Sequence, residues 1–177
     1  MDLEQARRAY LPDRVGRVFV AEAAPDSAER FFYNPGVRQQ DWLYLYLMTG
    51  LYGLPDSAEG RRSLRAAKPE MLARFRDDGN YLVDALDYRL PAGTTLAART
   101  RLIRAAAPAK VAEIAALLAE RGTADAGVVL IKATVFDGMA GACAAAGLPV
   151  ANRTKIPFPS SGQQKAFLSA MAATLAT

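Results

Sequence analysis

The chain has 177 residues, of which 51% are hydrophobic and 23% are charged, which is the composition of a globular domain and not of a disordered segment. Its formal net charge of +4 is compatible with a polyanionic partner but is too small to require one. The single cysteine, Cys143, excludes an internal disulfide, a cysteine zinc site and a four-cysteine iron–sulfur cluster, and we expect no metal and no cofactor. Histidine is missing, so any acid, base or electrophile must come from other side chains or from backbone amides.

No apolar run approaches the roughly 18 residues that a membrane-spanning helix requires. The N-terminal residues lack the basic and apolar regions of a signal peptide. We therefore expect a cytoplasmic protein with no membrane partner. The length fits one domain with a substantial core, so residues 1–177 are predicted to form a single domain, which we expect to be monomeric.

Short apolar segments alternate with helical ones along the chain. Buried strands are predicted at 17–21, 81–83, 128–131 and 149–152. Helices are predicted at 2–10, 41–51, 69–76, 109–121, 134–146 and 163–175, with caps at 55–57 and at Thr94 or Thr95. Pro108 is predicted to open the helix at 109, and residues 122–127 to form a loop. The alternation predicts an α/β protein, a three-layer α/β/α sandwich with a central four-stranded parallel sheet.

Three of the predicted strands are followed directly by a charged residue: Glu22, Asp84 and Lys132. The carboxyl ends of parallel strands lie along one edge of a sheet, where α/β proteins bind ligands, so these side chains are expected to share a crevice. The simpler interpretation is that each charge marks the place where a strand meets water. If Glu22 and Asp84 lie close together, their repulsion should raise the pKa of one of them.

Three motifs occur in an order found in a known family. They are FVAEAAP at 19–25, FFY at 31–33 and IPFPSS at 156–161. With these motifs the chain resembles the uracil-DNA glycosylase superfamily, with Ala21 in place of a glycine and an extra alanine before Pro25. There are two departures in the last motif. Ile156 replaces the histidine that stabilises the departing base in much of the family, and Ser160 replaces the apolar residue that wedges into the duplex.

The resemblance implies a DNA glycosylase-like protein, which binds a flipped-out deaminated base, uracil or hypoxanthine, and hydrolyses its N-glycosidic bond by carboxylate-assisted water attack. Asp84 and Glu22 are the candidate catalytic residues, with Asp84 positioning water and Glu22 supporting it or reading the base. One ring of the 31–33 run would stack on the base, and Phe32 is the first choice. Core filling is the commoner fate of such rings. The residues assigned to base binding are Phe32, Tyr33, Asn34, Ala23 and Lys132.

The loop before the last helix is predicted to contact DNA, single- or double-stranded, because free amides at a helix start bind phosphate. The residues assigned to this contact are Lys155, Pro157, Ser160, Ser161 and Gln163. A serine in this place is also an ordinary helix cap. The base preference and the strand preference do not follow from the sequence.

Two other functions are compatible with the same residues. A non-catalytic nucleic-acid or nucleotide-binding protein on the same fold would explain the departures at Ile156 and Ser160. A hydrolase of free nucleosides would suit the modest basicity of the chain.

Overall fold

The computed structural model describes residues 2–25, 27–36 and 41–176, and within them three parallel strands form one sheet. The strands are β1 (Val15–Ala23), β2 (Asn80–Leu86) and β3 (Gly122–Leu130), in the spatial order β2-β1-β3. Because β1 is central, the loop that follows it lies beside the chain that leaves β2 and the chain that leaves β3.

The sheet is buried on both faces, which explains why its strands have continuous apolar sequences. Val18, Phe19 and Val20 of β1 are fully buried. The ring of Phe19 lies 5.8 Å from the ring of Phe75 on one side of the sheet. The alternation of side chains along a strand places Val18 and Val20 on the other side.

Helices flank the sheet, so the chain is a mixed α/β protein. They are α1 (Leu3–Arg8), α2 (Trp42–Tyr52), α3 (Ala58–Ala66), α4 (Lys68–Asp77), α5 (Leu96–Arg121), α6 (Ala133–Ala145) and α7 (Gln164–Leu175). Helix α5 contacts all three strands, and α6 packs against α5 and against β1 and β3. Among the described residues, no helix is both long enough and apolar enough to cross a bilayer.

Capping side chains set the helix starts that the sequence predicted at Ser57 and Thr95. The hydroxyl of Ser57 accepts a hydrogen bond from the amide of Gly60, and that of Thr95 accepts one from the amide of Ala98. Both predictions are confirmed.

The predicted helix boundary at Pro108 is wrong, because α5 continues through this residue. Proline cannot donate the usual hydrogen bond to the carbonyl four residues earlier, and this favours a break. Ile103, Val111 and Ile114 lie on both sides of Pro108 and are all buried. Tertiary packing of this face outweighs the local preference, as it commonly does in helices.

The predicted loop at 122–127 is also wrong, since these residues form the first part of β3. Val15 pairs with Gly122 and Arg17 pairs with Gly127, with an irregularity in the register between them. This part of β3 contains two glycines with polar residues between them, so it lacks the apolar run by which a buried strand is predicted.

The predicted fourth strand is reduced to isolated bridges, so the sheet has three strands and not four within the described chain. Val150 bridges to Val128, and Ile156 bridges to Ile131, both in parallel orientation. Between them the side chain of Asn152 accepts from the amide of Leu130 and donates to its carbonyl, at 2.8 Å and 3.2 Å. These side-chain bonds take the place of the backbone ladder that a fourth strand would have formed.

Helix α6 packs closely on α5 at Gly138, and substitution there should destabilise the fold. A Cβ atom on Gly138 would lie 2.6 Å from Cγ2 of Ile103. We therefore expect Gly138→Ala to lower the free energy of unfolding by about 1–3 kcal/mol, as overpacking does. Urea unfolding followed by circular dichroism measures this change.

Gly141→Ala is the matched control in the same helix, because a Cβ atom there has no neighbour within 4 Å. Alanine is the better helix former, so this variant should be more stable by about 0.5–1 kcal/mol. Equal effects of the two substitutions would contradict the proposed contact between the helices.

Candidate functional site

A cavity of about 510 Å³ opens at the carboxyl ends of β1 and β2. Its walls include two carboxylates, a lysine and several aromatic rings, among them Glu22, Asp84, Lys132, Phe31, Phe32 and Trp42. A cavity of this size at this edge of a parallel sheet is a typical ligand site of α/β proteins.

Glu22 lies near the end of β1, and donors from three other segments hold its carboxylate. Arg99 of α5 and the ammonium of Lys132 both donate to Oε2, the former at 2.7 Å. The hydroxyl of Thr134 in α6 donates to Oε1 at 2.6 Å. Burial raises the pKa of Glu22, but the hydrogen bonds from Lys132, Thr134 and Arg99 and the charge of Lys132 outweigh burial, so the pKa lies below its ordinary value. Glu22 is therefore an ionised anchor and has little capacity to take a proton.

Asp84 is the second carboxylate, and its surroundings are different. Arg7 of α1 donates to its Oδ2 at 2.6 Å, and no other described residue donates to this carboxylate. Burial raises the pKa of Asp84 to about 6, in opposition to the charge and hydrogen bond of Arg7. The carboxylate is thus ionised at neutral pH and can take a proton, as a general base must.

Both carboxylates line the cavity, but they leave the sheet on opposite faces. Ala21 of β1 pairs with Asp84 of β2, so these two side chains share a face, and Glu22 points to the other one. Burial, and not repulsion from Glu22, is the main cause of the raised pKa of Asp84. One of the two pKa values is raised, as expected, but the expected cause, repulsion between Glu22 and Asp84, is wrong.

The aromatic run after β1 is divided between the cavity and the core. Phe31 and Phe32 line the cavity, although they are only 1% and 5% exposed. Tyr33 is fully buried, and its hydroxyl donates to the carbonyl of Leu82 and accepts from the amide of the same residue. Phe31 and Phe32 thus reach the cavity with only a small part of each ring, and the stacking of a base on Phe32 stays a prediction. The placement of Tyr33 in the core does not support a role in binding a base.

Two other residues assigned to the base have different positions. Ala23 lines the cavity at the end of β1. Asn34 lies outside the lining, where its amide group donates to the carbonyl of Ala28 and its side-chain oxygen accepts from the amide of Gly36. Asn34 thus stabilises its own loop.

One of the predicted DNA-contact residues in the loop before α7 lines the cavity. Ser160 is part of the lining, and Ser161 and Gln163 are exposed beside it. Pro157 is half-buried, and Lys155 is exposed and paired with Asp137 at 2.8 Å. Whether they contact DNA stays a prediction.

Ile156, which stands in the position of the family histidine, is fully buried. Its carbonyl accepts from the amide of Lys132 at 2.9 Å, and it bridges to Ile131 beside β3. The side chain at this position therefore offers no donor to the cavity, whose lining includes the cations Arg99 and Lys132.

Sequence reasoning missed Arg7, Asp41 and Lys68 as residues around the site. Arg65 donates to Oδ1 of Asp41, whereas Oδ2 is buried with no partner in the described chain. Lys68 is completely buried, with its ammonium 4.4 Å from the centre of the Tyr44 ring. Burial lowers the pKa of Lys68 to about 7, although the charge of Asp41 opposes this. No local pattern marks these residues, since their contacts come from distant segments.

Across the described residues, no group of three or more Asp, Glu, Cys or His side chains is arranged to hold a metal ion.

Raising the pH should destabilise the wild-type chain relative to an Asp84→Asn variant. The pKa of Asp84 is about 6 in the folded chain, above its ordinary value near 4, so the folded state holds a proton that the unfolded state has lost. The stability that this proton provides is lost as the pH rises through about 6. The free energy of unfolding of the wild type minus that of the variant should fall by about 2 kcal/mol from about pH 4 to about pH 8.

Urea unfolding followed by the fluorescence of Trp42, the single tryptophan, measures this difference. Asp13→Asn is the control, because Asp13 is exposed and lies away from the cavity, and its pH profile is compared with that of Asp84→Asn. A constant difference for Asp84→Asn would show that this carboxylate is not held in the buried environment described above.

The chain matches no protein-family model, no curated protein and no solved structure. Its resemblance to the uracil-DNA glycosylase superfamily therefore depends on the motifs at 19–25, 31–33 and 156–161 and stays a prediction. The function has to be inferred from the geometry of the cavity.

Proposed function

We propose that this cavity binds a deaminated base, uracil or hypoxanthine, extruded from DNA, and that the chain hydrolyses the N-glycosidic bond of that base. The observation that carries the proposal is the position of Asp84. It is a buried carboxylate with a pKa of about 6 and one oxygen without a described donor, in a cavity that also holds aromatic rings and the ammonium of Lys132. A general base that activates water, an aromatic ring that stacks on the nucleobase and a cation all suit the hydrolysis of an N-glycosidic bond.

The reaction passes through a sugar with oxocarbenium character, which a nearby carboxylate stabilises, as in glycoside hydrolysis. The bond between C1′ and the base nitrogen breaks, and its electron pair remains on the base. A water oxygen bonds to C1′ while Asp84 takes a proton from that water. The proton then returns through solvent to the base, so the products are a free base and an abasic sugar.

The aromatic wall suits a base taken out of the helix. Flipping a nucleotide out of a duplex costs a few kcal/mol, and stacking on an aromatic ring offsets about 1–3 kcal/mol of this cost. Phe32 is held by edge-to-face contacts with Tyr33 at 4.9 Å and Phe75 at 5.3 Å between ring centres. The platform is therefore rigid before a base arrives.

DNA is the proposed partner. The exposed Arg30 lies on the cavity wall, and the exposed Ser161 follows Ser160 at the rim, where backbone amides can meet a phosphate. The net charge of +4 suits such a partner. We further infer that the chain is a divergent, monomeric member of the uracil-DNA glycosylase superfamily, with the bridges at Val150 and Ile156 in the place of a fourth strand of a three-layer sandwich.

A non-catalytic nucleic-acid or nucleotide-binding protein is the second candidate. The buried Ile156 and the fully occupied carboxylate of Glu22 favour it, because neither residue can then donate or accept a proton during a reaction. The two candidates differ in whether Asp84 affects turnover or only binding.

Incubation with oligonucleotides that contain uracil, hypoxanthine or xanthine, followed by alkaline cleavage of abasic sites, tests the proposal. We expect product with the intact chain and a loss of about 10²–10⁴-fold with Asp84→Asn, which is the usual contribution of a general base. The rate should rise with pH and level off above about 6, because Asp84 must be ionised to accept a proton.

Asp13→Asn is the matched control. Asp13 is exposed, lies before the start of β1 and is not among the residues that line the cavity. This variant should retain the wild-type rate. Salt-sensitive DNA binding without product would instead support the binding protein, and turnover of free nucleosides alone would support the nucleoside hydrolase.

A further inference from the structure

The cavity has two sides, which lie over opposite faces of the sheet. Phe32 lies over one face, where its ring packs on the ring of Phe75 at 5.3 Å, and Asp84 leaves β2 on that face. Glu22 leaves β1 on the other face, where Arg99 of α5 donates to it. We call the first the aromatic side and the second the cationic side.

The carboxylates of the aromatic side are each paired with an arginine. Arg7 contacts Asp84 at 2.6 Å. Arg65 contacts Asp41 at 2.9 Å, and Asp41 precedes α2, whose Tyr44 ring packs on this side. An ionised carboxylate and an arginine cancel each other's charge, so these pairs leave no net charge on the wall. The aromatic side therefore suits an uncharged ring.

The cationic side carries an excess positive charge. Arg99 and Lys132 both donate to Oε2 of Glu22, and the hydroxyl of Thr134 occupies Oε1. Two cations thus lie beside one oxygen atom and share a single negative charge. Their mutual repulsion is only partly compensated, so an anion in the cavity would be attracted to both of them.

Both cations keep donors for such an anion. Nε of Arg99 donates to the carbonyl of Thr94 at 2.8 Å and Nη1 donates to Glu22, so three of the five N–H groups have no acceptor in the described chain. Lys132 gives one of its three hydrogens to Glu22 and keeps two. The two side chains are 25% and 24% exposed and line the cavity, so these donors can reach a ligand.

The two cations are held in place before a ligand arrives. Arg99 lies in the first turn of α5 and is fixed at both Thr94 and Glu22. Lys132 has a φ angle of +85°, a costly conformation that persists where surrounding contacts impose it. Here its amide donates to the carbonyl of Ile156 at 2.9 Å. A ligand therefore meets donors that are already oriented.

We propose that Arg99 and Lys132 bind a phosphate group of the nucleotide whose base lies on the aromatic side, so that the cavity takes nucleotides in preference to nucleosides and free bases. The nature of the base rests on the proposed function. A guanidinium can present two parallel N–H groups to the oxygens of one phosphate. A phosphodiester carries one negative charge, which matches the excess charge of the cationic side. Lys132, which the sequence assigned to the base, then contacts the phosphate.

Calorimetric titration of the intact chain with deoxyuridine, its 5′-monophosphate and its 3′-monophosphate measures this preference. We expect one monophosphate to bind about 10–10²-fold more tightly than deoxyuridine, because hydrogen bonds between charged groups are stronger than neutral ones. This ratio of affinities should approach one in Arg99→Gln. In the wild type it should fall as salt is added, because salt screens the charges.

Arg101→Gln is the matched control. It removes the same charge from the same helix, but Arg101 is exposed and is not among the residues that line the cavity. Its ratio should equal that of the wild type. Arg99→Lys keeps the charge and loses the paired N–H groups, so its ratio should be intermediate. This second variant keeps the test decisive if circular dichroism shows that Arg99→Gln does not fold.

Oligonucleotides extend the test from free nucleotides to DNA. A methylphosphonate replaces one charged phosphate oxygen by a methyl group and can be placed on the 5′ or the 3′ side of a deoxyuridine. At the phosphate that Arg99 contacts, it should weaken binding to the wild type and to Arg101→Gln. It should have little further effect on Arg99→Gln, which has already lost this contact.

The outcomes separate the inference from the proposed function. If the chain cleaves no N-glycoside but prefers a monophosphate through Arg99, the proposed function fails and the phosphate subsite stands. Equal binding of the three ligands by the wild type, or no binding of any of them, would overturn the inference. An equal fall of the ratio in Arg99→Gln and Arg101→Gln would overturn it too. Cleavage of uracil-containing oligonucleotides would leave the proposed function standing in each of these cases.

Discussion

The carboxylate of Glu22 joins more segments of this site than any other group described in the structure. It lies near the end of the central strand and is held by Arg99, Lys132 and Thr134, which belong to α5, to the connection after β3 and to α6. Removing one partner from a buried ion pair typically costs about 3–5 kcal/mol, because the remaining charge is left without compensation. The helices on this side and the cation at the cavity are thus fixed by one group.

The parallel register of the sheet gives the two carboxylates their different properties. Because Asp84 pairs with Ala21, it leaves the sheet on the face opposite to Glu22, among a different set of helices. On its own face Glu22 accepts hydrogen bonds from two cations and a hydroxyl, and its pKa is lowered. On the other face Asp84 contacts Arg7 and is otherwise buried, and its pKa is raised to about 6. Different environments separate the roles of two carboxylates in one cavity, as in several enzymes that use such a pair.

Local features of the fold were predictable from the sequence. The apolar runs around Val18, Leu82 and Val129 identified the strands, and Ser57 and Thr95 identified helix starts, because these signals arise from neighbouring residues. The start of β3 could not be found in this way, since it depends on pairing with β1 more than 100 residues earlier.

The site was predictable only in part, for the same reason. Strand ends pointed to Glu22, Asp84 and Lys132, which do line one cavity. The partner that holds the carboxylate of Asp84, and that opposes the effect of burial on its pKa, is Arg7, 77 residues away, on a helix that no motif connects to the site. Tyr33 lay in a run that could serve either the core or the cavity, and packing against β2 decided for the core.

Each acidic group of the cavity is paired with an arginine, and the reaction that we propose, which uses no histidine, depends on these pairs. Glu22, Asp84 and Asp41 are each held by an arginine from a distant segment, and arginine stays protonated in proteins. Such pairs keep charges in a dry cavity at fixed places, where electrostatic stabilisation is strong. Proton transfer then requires one group whose pKa lies close to neutrality. Burial, opposed by one arginine, places the pKa of Asp84 there, so in the reaction that we propose this carboxylate takes the part that an imidazole often has.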